Sequence, residues 1–393
     1  MDVAEGSSPA ARRARQILAA HFAREPSAEE RPRLRRDADA RAQRVRAALR
    51  ELGAAPGEAS VRVVATRAGL PASTTYRLLR ALGAPQRPRP PSLAPPAPEP
   101  PRAPVLVVGC GGAGLRALDR LHRLGATGAR TLALDTDPAA LDAAEADAHL
   151  LAPKGARDAT PALERLVAGA SLVFVVAGLG AGTGTCAAPV VADVARRAGA
   201  TVVGVASLPF GVERARLAKA EAGLASLQQA AHTTLVLEHD RLLRFVPNLP
   251  LDQAFRVMDT LVAEALKGIL DTLGGRALLP LDRAATRALL ASGGPAALLY
   301  GEARASDAPA AAREAFAHAF ADVDAQASRG AIVQLAGGAG LSLADAQAVA
   351  EAVAARIAPG AEVVCGARVA PELGPRLRLS VLLVGAPLKA RTP

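Results

Sequence analysis

No tryptophan occurs among the 393 residues, and tyrosine and phenylalanine number only two and seven. An aromatic core is therefore excluded, and Ala, Leu and Val must fill the interior. The three cysteines (Cys110, Cys186 and Cys365) lie far apart, which excludes a disulfide scaffold and offers no CxxC metal pair, so no metal-ligating side chains are expected. No apolar run reaches about 18 uncharged residues, so no membrane-spanning helix is expected. Met1–Glu5 lacks the charged-then-apolar start of a secretion signal, and a cytoplasmic protein is expected. Half the residues are apolar and mean hydropathy is +0.19, enough for most of the chain to bury a core. At roughly 150 residues per domain, the length predicts two or three domains.

Charge is uneven. Residues 1–104 hold 19 Arg against 10 Asp and Glu, whereas residues 105–393 hold 28 Lys and Arg against 27 acids. The net +10 thus belongs almost wholly to the first quarter. Such a segment reads as a polyanion-binding module or as a solvated, Arg-rich surface. Ten of the 30 prolines fall between Ala84 and Pro104. Proline fixes φ and removes a donor, so residues 84–104 should form an extended linker of about 60 Å at full stretch, or a proline-rich ligand.

Ahead of that linker, residues 1–83 are expected to be helical. Arg41–Leu52 is amphipathic, and a second short helix should end at Gly69, where a positive φ suits glycine. Pro71 falls in the turn, Ser73 can cap the next helix, and Tyr76, Leu79 and Leu82 stripe one face of it. Small Ala65 leaves room for a close crossing. This helix-turn-helix pattern resembles the winged DNA-binding domains of IclR-type regulators, which implies that Ser73, Thr74, Arg77 and Arg80 face DNA. A small helical bundle with a basic surface is the alternative.

Past the linker, short apolar runs alternate with helical stretches: Val105–Val108, Thr131–Asp135, Ser171–Ala177, Thr201–Ala206 and Thr234–Leu237. Uninterrupted apolar strands separated by helices predict a parallel sheet covered on both faces. Leu251–Leu273 reads as one long helix, with Phe255, Met258, Val262, Ala265 and Ile269 spaced by three and four. A smaller α/β domain should follow, with strands at Ala297–Ala303, Ala331–Leu335, Glu362–Val369 and Arg376–Gly385.

Two glycine loops carry the chemistry. Gly109-Cys110-Gly111-Gly112-Ala113-Gly114 follows a strand and leads into a helix, where bare backbone N–H groups and the helix dipole attract phosphate. Asp135 ends the next strand, so a dinucleotide site with Asp135 on the ribose competes. The second loop, Gly178-Leu179-Gly180-Ala181-Gly182-Thr183-Gly184-Thr185, makes another anion cradle at the same sheet edge. Two cradles suit one polyphosphate, and a nicotinamide enzyme has no need of the second.

Gly180–Thr185 resembles the signature loop of the tubulin/FtsZ family, and neighbouring motifs occur in that family's order. They are Asp135-Thr136-Asp137, Pro209-Phe210 with Glu213, Asp240–Leu243, Pro250-Leu251 with Ala254, Phe255 and Asp259, and Gly337–Leu343. The resemblance spans residues 105–387. It implies a GTP-binding domain at 105–275 that includes the long central helix, and an FtsZ-like C-terminal domain at 276–387. Gly111, Gly112, Ala113, Gly114, Gly180, Gly182, Thr183, Gly184 and Thr185 would hold the phosphates, with Mg2+ alongside GTP. Glu213 would contact the ribose, helped by Arg216 or Arg214. Phe255 would stack on guanine, and Asp259 would accept from its N1–H and exocyclic amine, which adenine lacks. From the residues alone, Phe255 is equally a core residue and Asp259 a solvated or paired acid.

The resemblance also implies head-to-tail homopolymers, because family members complete catalysis with an Asn-x-Asp-x-x-Asp loop from the next subunit. Here that stretch is Leu279-Pro280-Leu281-Asp282-Arg283-Ala284-Ala285. Asp282 keeps one carboxylate as the candidate catalytic residue, while Pro280 replaces the amide and Ala285 the second acid, so slow hydrolysis is expected. Ala152–Ala156 lacks the glycine-rich γ-phosphate loop. Arg116, a candidate GTP contact, and His239 both replace asparagines. About eight residues follow the last strand, without the long tail by which many members reach membrane anchors. Three functions are therefore in play: an FtsZ-like filament in cell division or the cytoskeleton, a DNA-binding regulator or DNA-tethered filament with a GTP-sensing core, and a nicotinamide enzyme.

Overall fold

Val105–Cys110 (β1) and Leu172–Gly178 (β4) have no polar alternation, and almost every residue in them is buried. That is the pattern of central parallel strands covered by helices on both faces. The computed structural model describes residues 30–52, 105–126, 128–153, 155–241, 251–274, 277–317 and 323–387, with Val64, Arg67 and Ala68. The chain separates into two compact units, Met1–Pro100 and Pro101–Pro393.

In the first unit, helix α1 spans Glu30–Glu51, starting earlier than the apolar periodicity from Arg41 predicts. Its added turns are Arg- and Ala-rich, which favours helix without any apolar stripe to mark it. Val45, Ala48 and Leu49 are buried, as are Val64 and Ala68. Arg67 pairs with Glu51 at 3.3 Å. Ser73, Thr74, Arg77, Arg80 and the segment 84–104 lie outside the described residues.

The second unit is built on one ten-stranded sheet in the order β3-β2-β1-β4-β5-β6-β7-β10-β8-β9. Its elements in chain order are β1, α2 (Gly111–Arg123), β2 (Arg130–Asp135), α3 (Pro138–Ala143), β3 (Ala148–Leu151), α4 (Thr160–Val167), β4 and α5 (Thr183–Arg197). Then come β5 (Thr201–Leu208), α6 (Arg214–Ala230), β6 (Thr233–Glu238), α7 (Leu251–Leu273), α8 (Arg283–Ser292) and β7 (Gly294–Arg304). The last are α9 (Ala308–Ala317), β8 (Gly330–Gly337), α10 (Leu343–Ala354), β9 (Glu362–Val369) and β10 (Arg376–Val384). Strands β1–β6 are mutually parallel. β10 runs antiparallel to β7 and β8.

The sheet does not stop at the central helix. β6 pairs in parallel with β7 through Thr233–Leu235 against Gly294–Ala296, so the outer edge of β6 is covered rather than exposed. Two apolar clusters result, one around Val173, Val175 and Val191, the other around Val333, Val349 and Leu379. With so few aromatics, small residues let the layers approach closely. Ala308, Ala311, Ala312 and Ala315 of α9 are buried, and a Cβ on Gly301 of β7 would fall 2.3 Å from the Ala311 carbonyl oxygen.

A buried ionic group joins α7 to the second half of the sheet. Arg378 donates to Glu302 at 3.0 Å and to Glu264 of α7 at 3.2 Å, and the Tyr300 hydroxyl donates to Glu302 at 2.7 Å. Glu302 is only 3% exposed at its side chain, and Arg376 supplies a weaker contact at 3.4 Å. Removing one member leaves a carboxylate dry and undercompensated. Arg378→Met is expected to lower unfolding stability by about 3 kcal/mol in urea titration, and adding Glu302→Gln to recover part of that loss.

Candidate functional site

Adjacent strands β1 and β4 lie in register, Cys110 beside Ala177, and each passes into a helix at the same edge. The first glycine stretch is not a loop. Gly109 and Cys110 belong to β1, while Gly111, Gly112, Ala113 and Gly114 form the first turn of α2. In the second stretch only Leu179–Gly182 form the turn, and Thr183, Gly184 and Thr185 begin α5. The two helix starts touch through backbone. Gly111 has φ +71°, and a Cβ there would lie 2.7 Å from the Gly184 nitrogen. A Cβ on Gly184 would lie 2.6 Å from the Gly178 oxygen, and one on Gly114 2.5 Å from the Val176 oxygen. Nothing lies within 4 Å of the Cβ position of Gly182. Neither helix has a side-chain cap, so two sets of N–H groups converge without a side-chain acceptor, an arrangement that suits an anion.

The walls are polar. Asp135 is buried, and its Oδ1 accepts from the Thr136 N–H at 2.7 Å and the Thr183 hydroxyl at 3.2 Å. The Thr136 and Thr183 hydroxyls are 2.9 Å apart. Asp135 thus forms part of the cradle's wall through Oδ1. Thr185 turns inward, accepting from the Gly180 N–H at 2.9 Å and so fixing the loop. Burial and the charge of Asp135 push the Cys110 thiol up to about 12, which leaves no thiolate in the cradle.

Glu213 and Asp259 are both held by arginines. Arg216 donates to Glu213 Oε2, while Oε1 accepts from the Phe210 N–H at 3.2 Å. Arg116 of α2 donates through Nε to Asp259 of α7 at 2.8 Å. Burial pushes the Asp259 carboxyl up, and the Arg116 charge and hydrogen bond, then His239, pull it back. His239 is buried beside Phe210, with ring centroids 5.2 Å apart, and its Nδ1 donates to the Leu208 carbonyl. Burial pushes it below the ordinary histidine range despite that bond and the nearby charges of Asp259, Glu213 and Asp240. Asp240 accepts from the Gly211 N–H at 3.0 Å. The side chain of Phe255 lies outside the described residues.

Asp282 is elsewhere. It caps α8, its Oδ1 accepting from the Ala285 N–H at 2.8 Å. Its neighbours Leu281 and Arg283 bond the carbonyls of Thr272 and Leu273, at the far end of α7 from Asp259. Fourteen residues of helix separate Asp259 from Leu273, about 21 Å at 1.5 Å per residue. Asp282 therefore cannot serve the cradle of its own chain. The sequence reading missed Thr136 as part of the wall and the Arg116–Asp259 contact. A partner 143 positions away leaves no local signal.

Comparison with known proteins matches three stretches of the chain. The Tubulin/FtsZ family GTPase domain profile matches residues 150–247, the FtsZ family C-terminal domain residues 294–387, and the IclR helix-turn-helix domain residues 42–83. Cell division protein FtsZ 2 of Methanocaldococcus jannaschii is 38% identical over 282 residues, covering 66% of this chain and 74% of that protein. FtsZ 2 of Haloferax volcanii is also 38% identical, over 279 residues, covering 66% and 70%. The solved empty FtsZ dimer of M. jannaschii superposes with a TM-score of 0.67 at 32% identity, covering 72% of this chain and 89% of that one. CetZ2 of H. volcanii, solved as a GTPγS-bound protofilament, shares the fold at TM-score 0.60 and 20% identity, covering 72% and 93%.

The contact of the two helix starts is directly testable. Gly111→Ala puts a side chain at positive φ against the Gly184 nitrogen, and is expected to cost about 2 kcal/mol of stability. It should also abolish stabilisation by nucleoside triphosphate in thermal melts.

Proposed function

The chain belongs to the FtsZ family of cell-division and cytoskeletal GTPases, and from that premise we propose that it binds GTP and self-associates head to tail, with slow hydrolysis. The observation that carries the reading is the pair of uncapped helix starts, Gly111–Gly114 and Thr183–Thr185, meeting at one sheet edge. Residues 105–275 would hold the nucleotide. The phosphates lie on Gly111, Gly112, Ala113, Gly114, Gly182, Thr183 and Gly184, with Gly180 and Thr185 shaping the loop. Glu213 and Arg216 meet the ribose, and Phe255 and Asp259 meet guanine. Among the described residues no group of three His, Cys, Asp or Glu forms a metal site, so Mg2+ would arrive on phosphate oxygens.

Residues 276–387 would form the C-terminal domain and present the Asp282 segment to the next subunit. Slow turnover is supported by the place of Asp282, which caps α8, and by Ala285 where a second carboxylate would polarise water. Position 285 is the third residue of α8, where the helix dipole favours an acid. Ala285→Asp should therefore fold, and it is expected to raise GTP turnover at least tenfold, with a rate that climbs faster than linearly with protein concentration. Phosphate release from GTP and ATP measures this, and absence of GTP affinity in the wild-type chain overturns the reading.

A second reading adds DNA as a partner of residues 1–83, favoured by the IclR-type match at 42–83 and the excess of Arg before residue 104. Head-to-tail association would then gather many such units along DNA and raise avidity. Arg77→Ala with Arg80→Ala is expected to weaken DNA binding by the full chain and flatten its salt dependence by about two in log–log slope. DNA binding without that change removes those two residues from the interface.

A further inference from the structure

Arg116 stands on the phosphate-binding helix α2 but contacts the base-reading end of α7. Its Nε is 2.8 Å from Asp259 Oδ2, and its Nη1 lies 3.7 Å from the Cβ position of Gly112. The guanidinium therefore connects the first turn of α2 to α7. The two partners differ in exposure, with 55% of the Arg116 side chain accessible against 18% for Asp259. The arginine can be removed without opening the core, and the acid cannot easily do without it. An exposed pair contributes little to stability, but a mostly buried carboxylate is strongly affected by loss of its cation.

We infer that Arg116 is the positioning residue of the base pocket: its hydrogen bond to Asp259 keeps that carboxylate a fixed, charged acceptor and thereby sets the preference for guanine over purines without the exocyclic amine. This rests on the GTP-binding reading. Only one oxygen of Asp259 is engaged by Arg116, and each carboxylate oxygen carries two lone pairs. The acid thus retains acceptor capacity for both guanine donors while the arginine stays in place.

The groups facing Asp259 define the pH behaviour. Arg116 faces it from α2 and His239 from the segment after β6. His239 is itself set among Glu213 and Asp240, and Arg216 binds Glu213. On α7, Arg256 is exposed. Burial favours the protonated acid, and Arg116 is the largest opposing influence. Without Arg116 the carboxyl titrates at higher pH, so acceptor function is lost sooner as pH falls.

The experiment is a competition of GTP and ITP (inosine triphosphate) against a fluorescent GTP analogue on the full chain, from pH 8 to pH 5. ITP carries the same phosphates, so the ratio of affinities cancels their protonation and reports the exocyclic amine. Wild type is expected to keep its GTP preference to lower pH than R116Q, whose preference falls about tenfold and begins to fall at a higher pH. D259N should lose the preference at every pH. A ratio for R116Q that matches or exceeds wild type throughout overturns this inference while leaving GTP binding intact. A wild-type chain that binds neither nucleotide overturns the functional reading and this inference together.

Discussion

Neighbouring parallel strands lie about 4.8 Å apart, and β1 directly, β4 after the short turn Leu179–Gly182, pass into helices at the same edge of the sheet. Two helix starts at that spacing collide unless their first turns are bare backbone. Gly111 at positive φ against Gly184, and Gly114 against the Val176 carbonyl, meet that demand. The same bareness leaves converging N–H groups with no side-chain cap, so the packing constraint and the anion cradle are one feature. The polar wall follows from it, because Thr183 begins α5 and its hydroxyl reaches buried Asp135.

The second organising element is α7. Near one end Asp259 contacts Arg116 of α2, and at the other Thr272 and Leu273 anchor the segment carrying Asp282. Between them Glu264 binds Arg378 of β10. One helix therefore spans the interval between the Arg116–Asp259 contact and the Asp282 segment, and ties both to the distal half of the sheet. Asp259 and Leu273 lie about 21 Å apart along the axis, so under the proposed function Asp282 would act on nucleotide held by another copy of the chain.

Much of this was legible in sequence. Unbroken apolar runs such as Val105–Val108 mark buried parallel strands, and spacing by three and four from Phe255 to Ile269 marks α7, which the structure places at the expected Leu251–Leu273. The order of the glycine loops and neighbouring motifs pointed to the family and to the sheet edge where the two helix starts meet. What escaped has physical reasons. Glycine is a poor helix former, so Gly111–Gly114 reads as loop, and only tertiary contact makes it a first turn. The pairing of β6 with β7 depends on three residue pairs across a long helix, which no local pattern announces. The hydrogen bonds by which Thr185 fixes the Gly180 turn and Asp282 caps α8 are backbone roles that the motifs alone do not announce. Ser73, Thr74, Arg77, Arg80 and the ring of Phe255 fall outside the described residues.

The absent acid at position 285 bears on what kind of GTPase relative this chain is. The fold does not demand alanine there. An N-cap aspartate followed three residues later by an acid is compatible with a helix start, and the dipole favours negative charge at that point. The missing carboxylate is thus a chemical difference that the helix start does not require, while the two uncapped glycine helix starts remain beside an Ala152–Ala156 segment that lacks the glycine-rich γ-phosphate loop. Under the proposed function, an anion site beside a reduced catalytic segment would let GTP hold an assembled state more than release it. On that reading assembly would be governed chiefly by nucleotide occupancy, and occupancy by the proposed base site at the Arg116–Asp259 pair.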